Sequence, residues 1–162
     1  MNAYLIDTDV LIDHLRGVDK AYRFMQEIES RESIIFYSVI SKAEIYSEIM
    51  PEEEESVASL FEAMEEVPVD GRAAEDAGRY RKAFRASHKL LLPDALIAAS
   101  AKNVGAILVT LNRKHYPMTD IEIQIPYNMH LSLKSLNTGI PFSIILLLLS
   151  LRIPILGNPC LK

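Results

Sequence analysis

The 162-residue chain has no tryptophan, a single cysteine and only six glycines. The lone thiol, Cys160, excludes an internal disulfide framework and leaves no closely spaced Cys/His pairs for zinc. No glycine-rich phosphate loop exists anywhere along the chain. Positive charge is also short: 17 Lys and Arg against 22 Asp and Glu give a net charge of -5. Any nucleic-acid contact must therefore use a local patch and not a whole-protein field. The N-terminus carries no recognisable secretory signal, because MNAYLID lacks a basic region and reaches Asp7 before an apolar stretch forms. These absences together point to a reducing, cytoplasmic setting.

What is present is a globular composition, with 49% hydrophobic and 24% charged residues. Its length suits one domain with a sizeable core. Short apolar runs alternate with longer helical ones. AYLI, SIIFYS (33–38), AILVT and IEIQIP read as strands, and VPV as a short edge strand because Pro68 removes a ladder donor. Between them, Tyr22, Met25 and Ile28 recur at helical spacing, and VISKAEIYSEI reads as a further helix. Pro51 followed by four glutamates opens a helix over PEEEESVASLFEAMEEV, with the acids at the positive end of its dipole. Another helix is expected from Ala73 to Ser87. LLLPDALIAASAKNVG is punctuated as a helix by Pro93 near its start and Gly105 just past its end. Strands separated by helices imply a three-layer α/β/α fold with a mostly parallel central sheet.

After Tyr127 the character changes to an apolar C-terminal extension, 128–162, almost without charge. Its dense part, Ile140 to Leu151, is shorter than the roughly 17–25 residues a membrane span needs, so none is expected. A helix packed on the domain or on a second copy is the preferred reading; an extension with no selected role is the alternative.

In an open parallel sheet, ligands bind at the carboxyl ends of the strands near the switch in strand order. Asp7 ends the first strand, and Thr110 and Asn112 end AILVT. Asp94 lies in the first turn of its helix, and Glu44 on a helix turn otherwise apolar and small. If these point at one sheet edge, three carboxylates converge and raise each other's pKa unless a cation neutralises them. Mg2+, which takes carboxylate and water oxygens, is the natural ion. Each acid also has a plainer reading. Asp7 or Thr8 could cap the helix DVLIDHLRG, and Asp94 could compensate a helix dipole. Asp9 and Asp13 are expected at the periphery. The spacing fails the calcium-loop pattern at Leu11 and Ile12. His14, His88, His115 and His130 are scattered and receive no role.

YLIDTDVLID, SKAEIYSEI, LPDALIAASA and ILVTLNRKHYP, in this order, resemble the PIN-domain nucleases, and within them the VapC-type ribonuclease toxins of toxin–antitoxin pairs. The resemblance covers Met1 to Tyr127, which makes 1–127 the PIN-like nuclease domain. It implies that Asp7, Glu44 and Asp94 hold Mg2+ or Mn2+ and cleave RNA. A fourth acidic position common in the family falls here on Asn112, an amide, so one tightly held ion is expected and not two. It also implies that Thr110, with Thr8 in support, orients Asp7 or a water. Cations for phosphate contact are at hand: Arg79, Arg81, Lys82, Arg85 and Lys89 cluster ahead of Asp94, and Arg113 and Lys114 follow Asn112. As partners the resemblance implies an RNA substrate, a cognate antitoxin protein and a homodimer.

Two rival functions fit part of the pattern. DTDVL resembles the first motif of haloacid-dehalogenase phosphatases, with Asp7 as nucleophile and Asp9 as general acid, and ILVT resembles their second. That family has no need of Glu44, and no paired acidic motif occurs late in this chain. The other rival is a non-catalytic α/β binding module.

Overall fold

The computed structural model describes residues 2–127. The expectations placed on the extension, 128–162, and on His130 lie outside the described residues. The described chain runs β1 (Ala3–Ile6), α1 (Thr8–Leu15), α2 (Asp19–Ser30), β2 (Ile34–Ser38), α3 (Val39–Tyr46), α4 (Glu54–Glu62), β3 (Glu65–Val67), α5 (Gly71–His88), α6 (Leu92–Val104), β4 (Ile107–Val109) and β5 (Ile123–Gln124). Short 3-10 turns precede α4, at Pro51–Glu53, and follow β4, at Arg113–His115. The sheet order is β3-β2-β1-β4-β5 and every pairing is parallel. This is the layered, parallel α/β architecture expected from the alternation of strand and helix.

Alternation along β1 explains the layers. Leu5 points to one face, into a core with α5 and α6 that includes Ala73, Ala77, Ala95 and Ala98. Tyr4 and Ile6 point to the other, into a core with Val10, Leu11, Phe24, Met25, Ile28 and Phe61 from α1, α2 and α4. Val10 and Leu11 are fully buried, and each such side chain contributes roughly 1.5–3 kcal/mol. The first core is rich in alanine, which lets α6 lie close to the sheet and brings Ser100 Oγ within 3.1 Å of Ser38 Oγ. Gly105 ends α6 with φ of 63°, a left-handed cap suited to glycine.

The expected elements are found, with shifted limits. The helix opening at Pro51 stops at Glu62, and Glu65–Val67 forms the edge strand β3 instead of its last turn. The strand expected over Val67 to Val69 thus lies earlier and ends where Pro68 begins. β3 carries two glutamates, and the fold provides for Glu66: Tyr37 Oη donates to it at 2.8 Å and Lys42 Nζ at 3.1 Å. Among the described residues no helix is long and apolar enough to cross a membrane.

Candidate active site

The chain builds β1, β2 and β3 outward in one direction and then returns to place β4 on the other side of β1. This switch opens a crevice at the carboxyl ends of β1 and β4, the usual ligand position in such sheets. Asp7 stands there, immediately after β1. Its two expected roles coincide: it is the N-cap of α1, with Oδ1 accepting the Thr8 N–H at 2.8 Å, and it faces the crevice edge. Glu44 arrives on α3, which packs against both α1 and α6. Asp94 arrives in the first turn of α6, behind Pro93. The plain capping and dipole readings are therefore true of Asp7 and Asp94 without excluding a site.

Asp7 is 6% exposed, yet its partners among the described residues are neutral donors. Tyr116 Oη donates to Oδ2 at 2.9 Å, and the Thr110 hydroxyl bonds the same carboxylate. Burial raises the Asp7 pKa above the ordinary carboxylate range, these hydrogen bonds oppose the rise, and the Asp94 charge adds to it. Glu44 Oε2 accepts the Thr8 hydroxyl at 2.5 Å. Its pKa is raised by burial first, then by the charges of Asp7 and Asp94, against the Thr8 hydrogen bond. Burial likewise raises Asp94, while His115, with Nδ1 at 3.9 Å from Asp94 Oδ2, lowers it. Three acids from distant parts of the chain are thus each placed where burial disfavours the charged form, and the charges of Asp94 on Asp7, and of both on Glu44, add to it.

Among the described residues no three acidic, histidine or cysteine side chains close tightly around one point. The donor chemistry is nevertheless that of a hard divalent ion: three carboxylates, one nearly enclosed and satisfied only by neutral groups. Mg2+ binds through a few carboxylates while keeping several waters, so it does not require a closed protein cage.

The remaining sequence candidates separate into groups. Thr8 and Thr110 do hold acids, Glu44 and Asp7 respectively. Asn112 does not turn toward Asp7: its Nδ2 donates to Asp9 Oδ2 at 3.0 Å. Asp9 is buried and is not the peripheral acid expected, whereas Asp13 is half-buried and accepts from Tyr127 Oη at 3.3 Å. Arg79 pairs with Glu75 and Asp76, and Arg81 donates to the Leu90 carbonyl at 2.6 Å. Arg113 donates to the Tyr116 carbonyl. Lys82, Arg85, Lys89 and Lys114 are exposed.

Two residues of the site carried no assignment from sequence: Tyr116, which touches Asp7, and His115, which stands by Asp94. Both lie in NRKHYP, after the strand and outside any period. The usable signal was the motif itself, an aromatic residue between a charged run and Pro117.

Comparison with known proteins adds to this geometry. The PIN domain family matches residues 4–120. The chain is 33% identical over 124 residues to ribonuclease VapC19 of Mycobacterium tuberculosis, covering 76% of this chain and 98% of that protein. It is 36% identical over 115 residues to ribonuclease VapC10 of the same organism, covering 70% and 86%. Among solved structures, VapBC-1 from nontypeable Haemophilus influenzae is similar with a TM-score of 0.65 at 20% identity, covering 76% and 98%. DNA-bound VapBC from Salmonella typhimurium is similar with a TM-score of 0.63 at 23% identity, over the same shares. At these identities the structural likeness establishes the fold.

Proposed function

The chain belongs to the PIN-domain family, and from that premise we propose that it is a VapC-type ribonuclease, the toxin of a toxin–antitoxin pair, hydrolysing RNA phosphodiester bonds with Mg2+ or Mn2+. The observation that carries this reading is the placement of Asp7, Glu44 and Asp94 near the switch point of the sheet, three carboxylates whose pKa values burial raises, with the charge of Asp94 adding to the rise at Asp7 and those of Asp7 and Asp94 to the rise at Glu44. Relatives that match nearly their whole length are named ribonucleases.

Asp7 and Asp94, with Glu44, would hold the ion. When bound, the divalent ion supplies an activated water and offsets charge on the phosphate oxygens. The chain's own residues do the positioning. Tyr116 and Thr110 fix the carboxylate plane of Asp7 from the buried side. Thr8 fixes Glu44, which serves as a further ligand or as the acceptor of the attacking water's proton. Lys82, Arg85, Lys89 and Lys114, exposed and without an ion pair among the described residues, are the cations proposed to meet phosphates. Arg79, Arg81 and Arg113 are occupied by contacts within the fold.

The partner reading follows the site. A groove of about 150 Å³ beside it is lined by Ile12, Leu15, Arg16, Glu44, Ile45 and Glu48, among others. Its apolar floor and acidic rim suit an antitoxin segment carrying a basic side chain that meets the carboxylates. A homodimer in the cytoplasm completes the proposal.

A phosphatase using Asp7 as nucleophile would need Asp9 beside the reacting group. The Asp9 carboxylate instead engages Leu111 and Asn112. The test is cleavage of RNA by the purified chain with Mg2+, Mn2+ or excess chelator, beside calorimetric titration of each ion. Cleavage restored by either ion after chelation is the expected result. Cleavage indifferent to chelator, or no cleavage and no ion binding, would overturn it.

A further inference from the structure

Asp9 follows Asp7 by two residues and meets different residues of the same segment after β4. It is 8% exposed, in the first turn of α1. Its Oδ1 and Oδ2 accept the Leu111 backbone N–H at 3.3 and 3.2 Å, and Oδ2 also accepts from Asn112 Nδ2 at 3.0 Å. The Asn112 backbone N–H in turn donates to Thr110 Oγ1 at 3.0 Å. One residue earlier, the Asp7 N–H donates to the Val109 carbonyl at 2.9 Å.

The segment held in this way, 110–116, carries both hydroxyls that bond Asp7, those of Thr110 and Tyr116, and also His115 beside Asp94. An acid in the first turn of a helix normally needs no explanation beyond the helix dipole. Here, however, both carboxylate oxygens accept hydrogen bonds from a segment about a hundred residues away.

Resting on the ribonuclease reading, we propose that Asp9 is a positioning residue: paired with Asn112, it fixes segment 110–116 so that Thr110 and Tyr116 hold Asp7 in its working orientation. The pair acts as one unit of acceptor and donor. An ionised carboxylate only accepts, whereas a primary amide both accepts and donates. Asp9→Asn keeps both bonds only with its amide oxygen at the Oδ2 position, which sets its NH2 against the Leu111 N–H 3.3 Å away and removes the charge that strengthens both contacts. Asn112→Asp would set two carboxylates against each other. The double exchange, Asp9→Asn with Asn112→Asp, restores complementarity. The amide oxygen takes the Leu111 N–H, and the amide NH2 donates to the new carboxylate.

The test uses the full chain and these variants, with kcat and KM on an RNA oligonucleotide in Mg2+, melting temperature, and amide exchange at 110–116. Asp9→Asn is expected to lower kcat by ~10–100-fold, the usual scale for a slight misplacement of catalytic groups. KM should stay within about threefold, because the exposed phosphate-binding cations are untouched. Exchange at Leu111 and Asn112 should quicken, and the double exchange should return both kcat and protection toward the parent. Full kcat in Asp9→Asn would overturn the proposal. So would a double exchange that recovers protection and leaves kcat at the level of the single variant. If the parent cleaves no RNA, the ribonuclease reading fails by itself. The positioning of 110–116 then stands on faster exchange in Asp9→Asn with recovery in the double exchange, and falls if exchange does not change.

Discussion

Tyr116 donates its hydroxyl hydrogen to Asp7 Oδ2 at 2.9 Å, joining two residues 109 positions apart in sequence. Both are almost wholly buried. Burial and the neighbouring acids push the Tyr116 pKa well above its usual value, so this phenol is a fixed donor at any physiological pH. The contact turns an otherwise ordinary N-cap aspartate into a carboxylate of defined orientation at the mouth of the crevice.

Removing that donor has a predictable consequence. Tyr116→Phe keeps the ring in its buried site and deletes one hydrogen bond to a carboxylate. Stability without metal should fall by about 1.5–3 kcal/mol, the scale for a hydrogen bond to a charged group. Denaturant unfolding in chelator reads the first effect. A reduced kcat with nearly unchanged KM on RNA reads the second, which is looser orientation of Asp7.

Glu44→Gln is expected to stabilise the chain without metal while abolishing its activity. Burial raises the Glu44 pKa in the fold, so the folded state keeps its proton more tightly than the unfolded chain does. Ionised Glu44 therefore costs stability, and for an acid shifted upward that cost is absent below the unfolded pKa. It is complete once pH exceeds the folded value. The two proteins should melt together near pH 4, and the variant should melt ~1–4 °C higher at pH 7.5 in chelator. Saturating Mg2+ should reverse the order, because only the parent gains fully from ion binding. A variant less stable than the parent at pH 7.5 in chelator would contradict the assigned electrostatics.

The cations divide by what they already hold. Charge reversal at Lys82 or Arg85 should weaken RNA binding and reduce its salt dependence by roughly one counterion per charge removed, with ion affinity unchanged. Arg81→Ala should act differently. It removes the tie between α5 and the Leu90 carbonyl, so fold stability should drop by about 0.5–1.5 kcal/mol. Filter binding across a salt series and thermal melts separate the two behaviours; equal RNA effects at Lys82 and Arg81 would contradict this division.

Much of this was legible in the residues, for identifiable reasons. Asp7, Thr110 and Asp94 stand where strand ends and a helix start are marked by local punctuation, so type and place could be read together. Glu44 was conspicuous because a helix turn of small and apolar residues has no evident need of an acid. The limits of α4 and β3 were not legible, since Glu65 and Glu66 are poor strand residues locally. Pairing with β2 and the support of Tyr37 and Lys42 make them a strand. Asp9 and Tyr116 were hidden for a related reason: their partners lie about a hundred residues away, and no periodic pattern encodes such a contact. The basic run before Asp94 looked uniform in sequence, although the neighbouring acids and the Leu90 carbonyl claim part of it.

The proposed hydrolytic role of Asp7 and Asp94 is decided by incubating the purified chain with total RNA and Mg2+ beside Asp7→Asn and Asp94→Asn. RNA cleavage by the parent is expected, with cleavage lost in both variants and both variants folded by melting curve. Cleavage that survives both substitutions would contradict it.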